Sequence, residues 1–388
     1  GQSLPSSKVE ADENDSEGDD ELRELAQDSS ASAGASEPSM KVGGAFAKKG
    51  KYSVDDFTII RVLGKGAFGK VMLVRLKEDQ VIYAMKSLNK QQLREKGEVT
   101  HTKTERKALE DTHHPYLVHL RFAFQSAAKL YLVMDYCNGG ELFYHLKTAG
   151  RFDEPRARLY ASEILSALTH LHSRKIVYRD LKPENVLLDA EGHVRITDFG
   201  LAKDAMELGD KTHTFCGTPD YLAPEIIKGS GHGRGVDWWS LGTMIYEMLG
   251  GLPPFYSENF NIMYDQILHA ELKFKPPECF KPDAMKLISE MLQKDPAKRL
   301  GSGDGDGEDI KAMAWFAPID WAKLEKREIK PSFVPNVKSE TDTSNFDEEF
   351  TSQAIEDSVA PDSLLNRNAK SEHFEGFTYV DKGPLGIS

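Results

Sequence analysis

Cysteine is scarce in this sequence. The 388 residues contain three cysteines, Cys137, Cys216 and Cys279. They are odd in number and widely spaced, so they provide neither a disulfide framework nor the paired spacing of a zinc site. Such low cysteine use is typical of proteins in a reducing compartment. The sequence therefore predicts an intracellular protein, cytoplasmic in the first place and nuclear in the second.

Long apolar runs and an excess of positive charge are also missing. No stretch approaches the about 20 apolar residues of a membrane-spanning helix. Asp and Glu number 62 against 49 Lys and Arg, which gives a formal net charge of -13. This balance argues against nucleic acid or an anionic membrane as the main partner and is compatible with basic protein substrates. We expect no membrane span and no nucleic-acid partner.

Lysine and arginine are absent from residues 339–366, which read as a solvated acidic tail. Residues 1–50 are similarly polar and carry an acidic run, and we predict that they form a disordered leader. Shortly after the basic-free stretch, however, come Phe374, Phe377 and Tyr379. These aromatics are either a stray cluster or have a pocket to occupy.

The remaining pattern changes from strands to helices along the chain. Runs rich in β-branched and aromatic residues predict strands between positions 57 and 88 and at 129–136, with a helix at 93–109. After Cys137 the pattern is mostly helical, and Asp153 is the expected N-cap of one long helix. This order predicts the α+β class. The acidic, glycine-rich run 301–309 fails as a calcium loop, because the sixth and twelfth positions counted from Asp304 are Asp309 and Trp315 instead of Gly and Glu, and we predict a surface loop.

A glycine-rich motif, LGKGAFGKV, occupies positions 63–71. It joins two predicted strands instead of opening a helix, which disfavours a dinucleotide-binding fold. Gly64, Gly66 and Gly69 lack a Cβ, so that backbone amides could approach phosphate oxygens closely. Taken alone, the motif is equally compatible with a glycine-rich hairpin that binds nothing.

Charged residues that suit phosphoryl transfer follow in order. Lys86 lies in a strand and could place its charge on phosphates, and Glu105 on the next helix could pair with it. In YRDLKPEN, at 178–185, Asp180 could accept the hydroxyl proton and Lys182 could offset charge on the transferred group.

Two oxygen-bearing residues complete this set. Asn185 ends the same motif, and Asp198 follows in the triplet DFG. Both could hold Mg²⁺, which bridges phosphates that would otherwise repel an anionic nucleophile.

Together these motifs resemble the eukaryotic protein kinase family over residues 57–316. The resemblance implies a bilobal fold, with a β-rich small lobe at 57–136 and an α-helical large lobe at 137–316, and the use of ATP and Mg²⁺. It also pairs Glu225 of the APE triplet with Arg299. An inactive kinase-fold scaffold is the alternative, and it would require a lesion in the catalytic set.

The resemblance also assigns binding residues. The ATP site is expected to include Leu63, Gly64, Lys65, Gly66, Ala67, Phe68, Gly69, Lys70, Val71, Ala84, Lys86, Met134, Asp135, Cys137, Glu141 and Leu187. Substrate contacts are expected from Glu141, Glu184, Glu247 and Thr218. The carboxylates among them imply substrates with Arg at positions -3 and -5 from a Ser or Thr, because Arg pairs with carboxylates in a bidentate manner.

Within the family, YRD and THTFCGTPDYLAPE resemble the AGC group of serine/threonine kinases. The overall pattern is most similar to the ribosomal protein S6 kinases, with the serum- and glucocorticoid-regulated, protein kinase B and protein kinase C branches as alternatives. The resemblance implies a regulatory tail at 317–380 and activating phosphates on Thr214 and Thr378. The Thr214 phosphate would contact Arg179 and His101.

The same resemblance gives the aromatics a place. Residues 374–379 match the group's hydrophobic motif, and their rings would enter a groove lined by Lys90, Leu93 and Leu130. An upstream activating kinase would dock at the motif itself. A further phosphosite of the group falls at Ala360 here, and Ser358 is the nearest substitute.

Overall fold

The structure is a computed structural model, and it describes residues 50–66, 68–353 and 374–381. The predicted leader, apart from Gly50, lies outside the described residues, and so do Ala67 and Ser358. The predicted α+β class is confirmed: a sheet-based small lobe precedes a helical large lobe.

An antiparallel sheet forms the small lobe, with the strand order β1-β2-β3-β5-β4-β9. Its first three strands match the predicted runs, which are rich in the apolar and β-branched residues that fit a half-buried pleated surface. The strands are β1 (Phe57–Gly66), β2 (Gly69–Leu76), β3 (Ile82–Asn89), β4 (Leu120–Gln125), β5 (Lys129–Asp135) and β9 (Tyr379–Val380). Strand β4 is not predicted from the sequence pattern.

The helix predicted at 93–109 is divided in two. Helix α1 spans Lys90–Glu95 and α2 spans Val99–Asp111. Gly97 between them has φ 73°, a left-handed conformation that ends a helix and favours glycine. Asn89 caps α1 by accepting from the amides of Gln91 and Gln92.

The large lobe is helical apart from a small three-stranded sheet. That sheet consists of β6 (Gly140–Glu141), β7 (Val186–Leu188) and β8 (Val194–Ile196). The helices are α3 (Leu142–Ala149), α4 (Glu154–Ser173), α5 (Pro224–Ile227), α6 (Gly235–Gly250), α7 (Phe260–His269), α8 (Pro282–Met291) and α9 (Gly307–Lys311). Asp153 caps α4 as predicted, accepting from the Arg156 amide at 2.9 Å. Nearly every residue of α6 is buried, so this helix forms the centre of the lobe.

After the large lobe, the chain returns to the small lobe. Helices α10 (Trp321–Glu325) and α11 (Glu348–Thr351) lie on this path. Strand β9 then pairs with β4, with Phe122 opposite Val380 and Ala123 opposite Tyr379. Among the described residues, no helix combines the length and apolar character needed to cross a membrane.

The prediction of a plain surface loop at 301–309 is wrong in part. Gly307 and Gly301 are buried, and helix α9 already begins at Gly307. The side chain of Asp306 contacts His172 and Trp238 inside the lobe. Buried partners far away in the chain hold this segment, and an acidic, glycine-rich composition gives no sign of them.

Candidate active site

The cleft between the lobes contains a cavity of about 320 Å³. Its walls include Gly69, Lys70, Val71 and Lys86 from the small lobe and Asp180 and Asp198 from the large lobe. It thus brings residues of the glycine-rich motif and both catalytic motifs to one place.

Two kinds of glycine occur in the predicted phosphate-binding hairpin. A Cβ on Gly69 would lie 1.7 Å from the carbonyl oxygen of Ser87, so no other residue fits there without a shift of the backbone. A Cβ on Gly64 or Gly66 would meet nothing within 4 Å. The hairpin is therefore packed on its inner side at Gly69 and open at Gly64 and Gly66, where amides can approach a ligand.

The other residues predicted to bind ATP lie on the strands around the cleft. Ala84 and Met134 are directly opposite each other in the β3–β5 pair. Strand β1 contains Leu63, Gly64, Lys65 and Gly66, β2 contains Gly69, Lys70 and Val71, and β3 contains Ala84 and Lys86. Strand β5 contains Met134 and Asp135, β6 contains Glu141, and β7 contains Leu187. Two further residues, Phe68 and Cys137, lie just outside strands.

Lys86 is held by two carboxylates. Its Nζ lies 2.6 Å from Glu105 Oε1 and 3.0 Å from Asp198 Oδ1. Burial disfavours the charged ammonium, but the charges of Asp198 and Glu105 outweigh it and raise the pKa of Lys86. The predicted pair between Lys86 and Glu105 is thus present, and it fixes a permanent positive charge at the wall of the cleft.

Asp180 is surrounded by hydrogen-bond donors. Asn185 Nδ2 donates to its Oδ2 at 2.8 Å, Thr218 Oγ1 donates to its Oδ1 at 3.2 Å, and Lys182 Nζ lies 3.2 Å away. Burial raises the pKa of Asp180, although Lys182 and Asn185 oppose that shift. A carboxylate with a raised pKa is a better acceptor for the proton of a substrate hydroxyl.

The oxygens of Asn185 and Asp198 fit a magnesium ion. The amide nitrogen of Asn185 donates to Asp180, so the amide oxygen would be the atom that holds the ion. Lys86 lowers the pKa of Asp198, which keeps that carboxylate ionised. Mg²⁺ commonly binds through one or two protein oxygens together with phosphates and water. When bound, the ion would neutralise phosphate charge.

Acidic side chains gather beside the catalytic loop. Burial, together with the charges of Glu184 and Asp220, raises the pKa of Glu247 to about 7, although the Tyr221 hydroxyl donates to this carboxylate. Burial and Glu184 also raise the pKa of Glu141. Burial is the main cause of both shifts, and the charge of Glu184 contributes to each, so a guanidinium placed among these carboxylates would be favourable. The sequence pattern did not indicate Asp220.

Thr214 is exposed in the segment that follows DFG. Arg179, its expected partner, donates from Nε to the Leu201 carbonyl at 2.7 Å, and its buried Nη1 has no partner among the described residues. Such a buried donor suits an incoming anion. His101 Nδ1 lies 2.7 Å from Glu98 Oε2.

The aromatics of the tail occupy the small lobe. Phe374 and Phe377 are 5% and 1% exposed and belong to the core cluster that contains Leu93 and Leu130. Lys90 Nζ lies 5.3 Å from the centre of the Phe374 ring. Gln125, which sequence reasoning missed, bonds both backbone groups of Phe374 at 2.9 Å. The stray-cluster alternative is therefore wrong.

Thr378 lies at a second cavity, of about 570 Å³, next to the docked rings. Lys51, Lys90 and Gln125 also line it. Earlier in the tail, Phe346 stacks on Tyr136 with ring centres 5.8 Å apart, immediately beside the strand that carries Met134 and Asp135. The tail thus contacts both the nucleotide side and the outer side of the small lobe.

The predicted pair of Glu225 and Arg299 is present and buried. Two guanidinium nitrogens of Arg299 donate to the two carboxylate oxygens at 2.6 and 2.8 Å. The pair joins the segment after Thr214 to the body of the large lobe. Since Lys86, Glu105, Asp180, Asn185 and Asp198 are present and assembled, the inactive-scaffold alternative lacks the lesion it requires.

Comparisons with known proteins agree with this geometry. Residues 57–316 match the family described as "Protein kinase domain", and residues 337–379 match "Protein kinase C terminal domain". "Protein kinase 2" of Dictyostelium discoideum is 54% identical over 327 residues, which cover 84% of this chain and 67% of that protein.

Two further relatives indicate which serine/threonine kinases are similar to this chain. "Serine/threonine-protein kinase Sgk2" of Homo sapiens is 48% identical over 328 residues, covering 84% of this chain and 89% of that protein. "Serine/threonine-protein kinase YPK2/YKR2" of Saccharomyces cerevisiae is 50% identical over 336 residues, 87% of this chain. The chain spans about half of that yeast protein, 49% of its length.

The expected likeness to ribosomal protein S6 kinases in particular is not supported by these relatives. What the matches share is the catalytic domain and the tail, and kinases of this kind use ATP and Mg²⁺ to phosphorylate proteins. The chain belongs to the protein kinase family and is a serine/threonine kinase of the AGC group.

Proposed function

We propose that the chain phosphorylates Ser or Thr in basic protein segments as a kinase of the branch that includes the serum- and glucocorticoid-regulated and YPK enzymes. The names of the similar proteins favour this branch over the S6 kinases. A role in growth and nutrient signalling through the S6 kinase route is therefore the weaker alternative, and protein kinase B is the neighbouring branch.

The acidic cluster at Glu141, Glu184 and Glu247 supports a preference for Arg upstream of the phosphorylated residue. Glu247 is buried and has a pKa raised by burial and nearby carboxylates. A bidentate guanidinium would supply the missing counter-charge, whereas a neutral residue would leave the repulsion in place. This cluster is the observation on which the Arg preference at -3 and -5 rests.

Two phosphates are proposed to activate the kinase. One on Thr214 would meet Nη1 of Arg179, which has no hydrogen-bond partner in the part of the chain that the structure describes. One on Thr378 would face the cavity that Lys51 and Lys90 line. Ser358 remains a third candidate. An upstream kinase would recognise the hydrophobic motif at 374–379.

We also propose a division into a leader (1–50), a kinase domain (57–316) with lobes at 57–136 and 137–316, and a tail (317–380). A cytoplasmic and secondarily nuclear location is also proposed, and the few cysteines support it only in so far as they favour a reducing compartment.

A peptide library incubated with labelled ATP tests the specificity. We expect enrichment of Arg at -3 and -5 around Ser or Thr, and loss of transfer in Asp180→Asn. Glu184→Gln should relax the Arg preference while transfer to a generic basic peptide persists. A preference for Pro at +1 or for acidic residues upstream would overturn the proposal.

A further inference from the structure

Asp306 stands at the start of α9 but does not cap it. Its side chain makes no capping hydrogen bond to the helix, although Asp is among the preferred N-cap residues. Its backbone has φ 48° and ψ -130°, a conformation that residues with a Cβ rarely adopt. The residue thus accepts an unfavourable backbone conformation and leaves the helix end without its carboxylate. The carboxylate is therefore free to bind groups outside helix α9.

The Asp306 carboxylate is directed into the large lobe. Both of its oxygens lie near His172 Nδ1, at 3.1 and 3.2 Å. Trp238 Nε1 donates to Oδ1 at 2.8 Å, and Arg234 lies 3.3 Å from Oδ2. The side chain of Asp306 is 13% exposed, and that of His172 is fully buried. Donors from α4, from α6 and from the residue just before α6 therefore surround this one acidic group.

His172 faces a carboxylate on each ring nitrogen. Its Nε2 lies 2.8 Å from Asp237 Oδ2, on the side opposite Asp306. An imidazole with an acceptor at both nitrogens is fully satisfied only as the doubly protonated cation. Burial would lower the pKa of His172, but the hydrogen bonds and charges of Asp237 and Asp306 raise it to about 9. Within the described residues, these are the two charged groups that face the ring, with Arg234 behind Asp306.

Asp237 connects His172 to the backbone of the catalytic loop. Its Oδ2 accepts from the amide of Tyr178 at 2.9 Å, and its Oδ1 accepts from the amide of Arg179 at 2.7 Å. Arg179 has φ 67°, so its backbone conformation depends on bonds such as this one. The next residue in the chain is Asp180.

We propose that Asp306 is a positioning residue for phosphoryl transfer, which acts through His172 and Asp237 on the backbone that carries Asp180. Asp306 is not among the residues that line the cleft cavity. It keeps His172 in one orientation, and His172 keeps the Asp237 carboxylate aimed at the two amides. The proposal rests on the kinase activity of the chain and not on its substrate preference.

Two substitutions distinguish the contribution of the Asp306 carboxylate from that of its unfavourable backbone conformation. Asp306→Asn keeps the shape and removes the charge, whereas Asp306→Gly also removes the conformational conflict at φ 48°. Asp304→Asn is the matched control, because Asp304 is an exposed acid in the same loop. For both Asp306 variants we expect kcat to fall on the order of tenfold, with KM for ATP and peptide unchanged, since misplacement of a reacting group lowers the rate of the chemical step.

The pH profile adds a readout that a purely structural loop would not change. In the unaltered protein His172 stays protonated until the pH approaches about 9. Without the Asp306 charge its proton is lost at lower pH, so kcat of Asp306→Asn should fall as the pH rises from about 7 to 9, where Asp304→Asn stays level.

Amide exchange tests the same chain of contacts without any catalysis. We expect faster hydrogen exchange at the amides of Tyr178 and Arg179 in both Asp306 variants, at a melting temperature close to that of Asp304→Asn. The proposal is overturned if Asp306→Gly has the kcat and exchange rates of the control, or if kcat falls only in proportion to the folded fraction. Failure of the specificity proposal would leave these exchange rates untouched.

Discussion

Replacement of Phe377 by alanine tests whether aromatic burial holds the tail on the small lobe. The ring is 1% exposed, and the described tail segment around it also buries Phe374, forms the two-residue strand β9 and pairs Asp381 with Arg121. Burial of a Phe side chain contributes about 2 kcal/mol. Its loss should shift the ratio of docked to undocked tail roughly 30-fold, because 1.4 kcal/mol corresponds to a factor of ten.

The amide of Asp381 reports this equilibrium, since it donates to the Arg121 carbonyl of β4 at 2.9 Å only when the tail is docked. We expect its hydrogen exchange, followed by NMR, to accelerate roughly 30-fold in Phe377→Ala. Kinase activity should fall with it, because the docked rings belong to the core cluster that includes Leu109 of α2, the helix that carries Glu105.

Glu375→Ala is the matched control, because Glu375 is exposed in the same turn of the tail. It should leave both the Asp381 amide and the activity unchanged. If Phe377→Ala behaves like this control, the buried rings do not hold the tail, and the reasoning is refuted.

Three further substitutions address the cleft and the large lobe. Lys86→Met should lower kcat by about 10²–10³ with an unchanged circular dichroism spectrum, as expected for loss of a preorganised charge; near-normal transfer would contradict the role of the Lys86–Asp198 contact. Glu247 is ionised above its pKa of about 7, so KM for an Arg-containing peptide should rise as the pH falls below 7, and Glu247→Gln should abolish that dependence. Arg299→Ala leaves Glu225 buried without its partner. It should lower the free energy of unfolding, measured by denaturant titration, by about 3–5 kcal/mol. A loss under about 1 kcal/mol would show that the pair is dispensable.

The sequence predicts those parts of the site whose chemistry requires one residue type at a fixed spacing. Lys86 and Glu105 pair as expected because the phosphate-binding charge needs a carboxylate to orient it. The division of the predicted helix at Gly97 was missed, since a single left-handed glycine leaves the apolar spacing on both sides intact.

Contacts between distant residues explain the other omissions. Gln125 and Phe374 are 249 positions apart, and nothing local marks either one as the partner of the other. Asp306 reaches His172 across 134 positions from a segment whose composition indicates only a loop. The branch of the group is equally hidden, because the catalytic motifs carry the chemistry that all branches share.

Two long-range arrangements, the docked aromatics of the tail and the contacts from Asp306 through His172 to Asp237, act on different catalytic groups. The aromatic tail packs on the lobe that carries Glu105. Through Glu105 it affects the direction in which Lys86 points toward phosphate. Asp306 supports, through two buried side chains, the loop that carries Asp180. Neither arrangement touches a reacting atom, so each can be weakened without removing any catalytic group. Because they are built into different lobes, their effects on the free energy of activation should add, which is the behaviour of independent sites.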